Sequence, residues 1–144
     1  MADPRLTASM IGIGEKRITA KYDNSTITYS ATTANGSAQV GLAVRLNADD
    51  LVIELVGDGE HVFGKLIKVE ADGMCTVQIS GGMTLPAGDG VSSLTLGEKI
   101  VGDLGADSAE GYIRVVATGT AAELGKARGM VIDDSTLTAV VVYL

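Results

Sequence analysis

A chain of 144 residues with 46% hydrophobic but only 3% aromatic residues fits one packed domain built from Val, Ile, Leu, Ala and Met, and is too short for two full ones. Its net charge of −7 argues against nucleic acid as a partner, because phosphate binding is dominated by Lys and Arg. A lone Cys75 cannot form an internal disulfide, the opening MADPRLTASM lacks a secretory core, and no run reaches the ~18 apolar residues of a membrane span; a soluble protein made in a reducing cytoplasm, with no membrane partner, is expected.

Residues 1–35 carry two short β-like pieces, RITAKY and TITYSA, separated by the turn-like Asp23-Asn24-Ser25 and followed by the polar stretch TTANGS. Four cations (Arg5, Lys16, Arg17, Lys21) face two acids (Asp3, Glu15) in residues 1–21, a balance of +2 that leaves −9 of the total −7 for the rest. This segment reads as an arm, and residues 36–144 as a body. From Ala38 onward, Val40, Leu42, Val44 and Leu46 alternate with Gln39, Gly41, Ala43 and Arg45, the period of a strand with one face on a core.

Further β-rich runs follow: LVIELV, HVFGKLIKVEA, MCTVQIS, VSSLTLGEKIV, YIRVVAT and the C-terminal TLTAVVVYL. Asp72-Gly73 between two of them is a hairpin signal, since Gly accepts the positive φ of a tight turn, so 62–71 and 74–80 are expected to pair. Val140, Val141, Val142 and Leu144 are too apolar for a half-exposed strand and read as buried on both faces. Strand-like runs at intervals of ~8–12 residues predict a barrel or sandwich. Only Thr120–Gly125 departs from this pattern, with the composition of a single helical turn.

The residues offer little for catalysis. His61 is the only histidine, so a Cys-His or Ser-His-Asp system would have to recruit it; a strand-edge imidazole and a small buried Cys75 thiol are the simpler reading. One His and one Cys do not make a zinc site. Turn aspartates (Asp49, Asp50, Asp58, Asp72, Asp89, Asp103, Asp107, Asp133, Asp134) could offer oxygens to calcium, but lack the EF-hand spacing and are better read as capping their own turns. Gly12-Ile13-Gly14-Glu15-Lys16 falls short of a phosphate loop. The expectation is a non-enzymatic protein with no metal and no cofactor.

Residues 62–88, VFGKLIKVEADGMCTVQISGGMTLPAG, and the ending GKARGMVIDDSTLTAVVVYL at 125–144 resemble the capsid cement, or head decoration, proteins of tailed bacteriophages. The first block is similar to their central "fG" strand, acidic-Gly turn, "TVQ" strand and "lpaG"; the second to their A-R-G strand and apolar terminal strand. Leu96–Val101 stands where the family has an "aGd-x-V" strand, with Glu98 in place of the commoner Asp. The resemblance covers about 36–144.

It implies an all-β fold, with a small β-barrel or β-tulip-like body and an N-terminal arm. It also implies a homotrimer on the exterior of an icosahedral virion, with the major capsid protein as partner and no catalytic residues. Strand addition to a neighbour by the arm would then use Arg5, Lys16, Arg17, Ile18, Tyr22, Ile27 and Tyr29. A carbohydrate- or protein-binding β-module of a phage tail or bacterial surface is the alternative; no Trp, one Phe and four Tyr leave it few rings for sugar stacking.

Overall fold

The computed structural model describes residues 14–116 and 121–133. Arg5 and the apolar run 136–144 lie outside the described residues. Within them the fold is all-β: seven strands in two antiparallel sheets, with one short α-helix and two single 3-10 turns. The strands are β1 (Lys16–Lys21), β2 (Ala43–Asn47), β3 (Val52–Leu55), β4 (Gly64–Val69), β5 (Met74–Ser80), β6 (Ile100–Asp103) and β7 (Tyr112–Val115). The helix, α1 (Ala121–Lys126), matches the helical composition seen at 120–125.

The larger sheet runs β1-β5-β4-β2-β3 and the smaller one is the β6-β7 pair. Pairing of β4 with β5 places Leu66 opposite Val77 and Val69 opposite Cys75, as the hairpin signal predicted. The connection is a three-residue loop rather than a two-residue one. Glu70 N–H donates to Met74 C=O at 2.9 Å, Gly73 N–H reaches back to Glu70 C=O at 3.4 Å, and Gly73 sits at φ +90°. Asp72 Oδ1 accepts from Met74 N–H at 3.0 Å. The left-handed position falls one residue after a tight turn, where glycine is the unstrained choice.

Two expected strands are shorter than their patterns. The run from Ala38 becomes extended only at Ala43, because Gly41 takes φ +96° and donates to Leu66 C=O at 2.8 Å, bending the chain before β2 begins. Likewise 91–99 is loop, turned at Gly97 (φ +83°), and only Ile100–Asp103 is strand. Leu94 is buried from that loop nonetheless.

Apolar side chains gather in two clusters. One holds Tyr22, Ile27, Val44, Ile53, Leu66 and Val77 under the five-stranded sheet; the other holds Ala43, Val62, Met83, Leu85, Ile100 and Ile113 beside the small sheet. Successive strand residues point to opposite faces, so Ala43 enters one cluster and Val44 the other, and Val56 and Leu55 divide in the same way. Close backbone approach joins the sheets: Gly102 N–H donates to Glu60 C=O at 2.8 Å and Gly59 N–H to Gly102 C=O at 3.0 Å. A Cβ at Gly102 would collide with the Gly57 carbonyl.

The outer strands of the large sheet curl toward each other. Tyr22 bridges Ile53 in parallel, and Asp23 N–H donates to Ile53 C=O at 3.0 Å. This single bridge stops short of a closed barrel wall among the described residues.

The boundary expected at residue 35 is not where the structure divides. β1 pairs along its length with β5 of the same chain, Tyr22 is 5% exposed, and Ile27 is fully buried. The reason is local: the free edge of β5 offers hydrogen bonds a few residues away in space, and Ile18, Ala20, Tyr22 and Ile27 find apolar cover beneath the same sheet. Residues 16–29 therefore belong to the body.

Candidate interaction surface

β1 brings three of the arm residues singled out in the sequence, Lys16, Arg17 and Ile18, to one sheet edge. Its alternation turns Ile18 toward the core with Ala20, while Lys16, Arg17, Thr19 and Lys21 face solvent. Arg17 is ion-paired with Glu15. An edge strand presents a row of backbone donors and acceptors that another strand can join, and lysines there are also the usual means of discouraging indiscriminate pairing. Both roles call for the same residues.

Tyr22 and Ile27 are not at this surface. Tyr22 Oη donates to Glu70 C=O at 3.1 Å, pinning β1's end to the β4–β5 loop. Asp23 shapes the turn between them: Oδ2 accepts from Thr26 N–H at 2.8 Å and from Thr26 Oγ1 at 2.8 Å, and Oδ1 accepts from Ile27 N–H at 3.1 Å. Thr26 Oγ1 in turn accepts from Leu55 N–H at 2.9 Å, tying the turn to β3. The expected neighbour contacts of Tyr22 and Ile27 are thus corrected to internal core packing. Asn24 at φ +55° suits the turn, since Asn tolerates the left-handed region.

Tyr29 is the exception, at 42% exposure. It lines a cleft of about 420 Å³ with Ser30, Asn35, Gly36, Lys68 and Glu70. The TTANGS stretch forms one wall: Ser30 N–H donates to Gly36 C=O at 2.7 Å, and a Cβ at Gly36 would strike the Val69 carbonyl. This polar stretch is packed on β4. A second cleft, of about 570 Å³, lies between Lys21, Asp23, Thr26, Asp50 and Glu54.

Cys75 and His61 occupy different regions. Cys75, in β5, is 1% exposed, and burial pushes its thiol up to about 11, so it is protonated at neutral pH and a poor nucleophile. His61 borders a separate cleft with Lys126 and Arg128, and its pKa is lowered by burial first and by Arg128 second.

Of the turn aspartates, Asp72 caps its own turn, while Asp58 and Asp103 face Arg114. Arg114, projecting from β7, gathers Asp58 Oδ1 at 3.1 Å and Glu123 Oε2 at 3.1 Å, with Asp103 Oδ1 at 3.8 Å. This cluster ties α1 to the small sheet and to the loop between β3 and β4. The hydrogen bond to Glu123 leads the effects that hold Arg114 charged, while burial lifts Asp103 above the usual carboxylate range. Sequence reading missed the cluster because its members are 58, 103, 114 and 123, too far apart for any local pattern. Among the described residues no group of three or more His, Cys, Asp or Glu is placed to hold a metal ion.

No family model matches the chain, and comparison with curated proteins and with solved structures likewise gives no match.

Proposed function

We propose that this protein is a capsid cement protein, seated on the exterior of an icosahedral phage head as a homotrimer and bound to the major capsid protein, without catalytic activity. The observation that carries the reading is the resemblance of residues 62–88 to the central block of that family. In this chain the block forms one contiguous unit, the β4–β5 hairpin and the segment leading to Leu85 and Gly88, whose apolar residues supply both clusters. β1, with Lys16 and Arg17 outward, lies directly beside β5, so a neighbouring strand added at this edge would extend the same sheet. A symmetric oligomer making several such contacts gains avidity that one contact does not supply.

The test is decoration of purified heads that lack this protein, scored by electron microscopy and by mass spectrometry of virions. Copy numbers comparable to the major head protein are expected. Absence from particles, together with no binding to bare heads, would remove the reading. The alternative, a carbohydrate- or protein-binding module, draws on Tyr29 and the polar groups around its cleft; a glycan array with wild type and Tyr29→Ala decides it, a Tyr29-dependent hit favouring the module.

A further inference from the structure

Lys and Arg together number only 11 in the chain, yet two of them, Lys126 and Arg128, line one cleft of about 400 Å³ with His61 and the backbone of Gly125 and Ala127. The cleft lies where the chain leaves α1 and crosses β6. Arg128 is anchored there by its backbone, which exchanges two hydrogen bonds with Ile100, each 3.0 Å. Its Cα is thereby fixed, and the residue is exposed at the cleft. Lys126 Nζ meets Glu60 Oε1 at 3.2 Å, and Glu60 also faces Arg45 at 3.5 Å. Among the described residues no carboxylate is ion-paired with Arg128.

A second observation is steric. Gly125 stands inside α1, although Gly is the weakest helix former after Pro. A Cβ at Gly125 would meet nothing within 4 Å. Packing within the chain does not demand glycine there, and the bare backbone leaves room for a group arriving from outside.

We propose that this cleft binds a compact oxyanion, a phosphate or carboxylate group, held by the Arg128 guanidinium and the His61 imidazole against the Gly125 backbone. The planar guanidinium offers two parallel N–H donors to such a group. Lys126 adds a positive charge that Glu60 shares. Burial first, and then Arg128 with lesser help from Arg45 and Lys126, lowers the His61 pKa against the opposing charge of Glu60. An anion in the cleft reverses that balance and draws a proton onto the ring. The inference does not depend on the capsid reading.

His61 is the sole histidine, so it gives one unambiguous imidazole signal in the full chain. Its pKa is measured by NMR at constant ionic strength with sodium phosphate, with sodium acetate and with sodium chloride as reference. The expected result is a saturable upward shift with an oxyanion, lost in Arg128→Gln and weakened in Gly125→Ala, whose added methyl beside the cleft meets nothing of the fold within 4 Å. Response to phosphate alone assigns the site to phosphate groups, and response to acetate alone to carboxylates. Identical titrations in all three salts overturn the proposal. So does an undiminished shift in both folded variants.

Discussion

Ile27→Ala distinguishes a body residue from an arm residue. Ile27 is 0% exposed inside the cluster under the large sheet. Removing three carbons forfeits about 2.4 kcal/mol of burial at ~0.8 kcal/mol each, and the cavity left behind brings the loss to about 3 kcal/mol, within the ~2–5 kcal/mol span for such truncations. For a chain of this size that corresponds to a fall in Tm of about 9 °C. Urea titration followed by circular dichroism measures the free energy, with Tyr29→Ala as the exposed control, expected to change stability by less than about 0.5 kcal/mol. The same logic makes deletion of residues 1–29 unfold the chain, where an independent arm would leave a folded body. An Ile27→Ala protein as stable as wild type but defective in binding a neighbour would refute the reasoning.

Native Cys75 should resist a thiol reagent at pH 8 and react stoichiometrically once urea unfolds the chain; rapid modification of the native protein would contradict its burial. Because burial raises its folded pKa to about 11, above the ordinary thiol value of 9.0, the unfolded chain loses its proton first, and stability should decline as pH rises from about 9 to 11. Cys75→Ser should flatten that decline. The His61 pKa is instead lowered from 6.5, so the unfolded chain takes up the proton more readily, and stability attributable to this residue should fall as pH drops below about 6.5. His61→Gln should remove that component, and an unchanged pH profile would reject the assignment. Arg114→Met should destabilise the chain by about 1–3 kcal/mol by leaving Asp58 and Glu123 without their charged donor, and should make α1 an early site of limited proteolysis; cleavage unchanged from wild type would show that Arg114 does not secure the helix.

The β character and the β4–β5 hairpin were legible because their signals are local: alternation in Lys65–Val69 and Cys75–Ile79, and an Asp-Gly pair between them. The early start expected for β2 was not, since Gly41 sits in an alternating run where its positive φ leaves no trace in the pattern. The assignment of residues 16–29 to an arm followed composition. Tyr22 and Ile27 show why composition misleads here: two apolar residues among polar neighbours were enough to enter the core once Asp23 had folded the turn between them. At the candidate surface, Lys16 and Arg17 were identifiable as exposed charges. The Arg114 cluster and the His61–Arg128 cleft join residues distant in sequence, so neither could be read before the fold was known.

The division of Ala43 and Val44 between the two apolar clusters has a consequence for cooperativity. Each cluster uses β2 as a wall, and a strand cannot be withdrawn from one side while its opposite face stays seated. Local opening of β2 would expose both clusters at once, which places its amides among those that exchange hydrogen only through global unfolding. The two sheets should consequently melt in a single transition, with calorimetric and van't Hoff enthalpies in agreement, even though their strand ladders are separate.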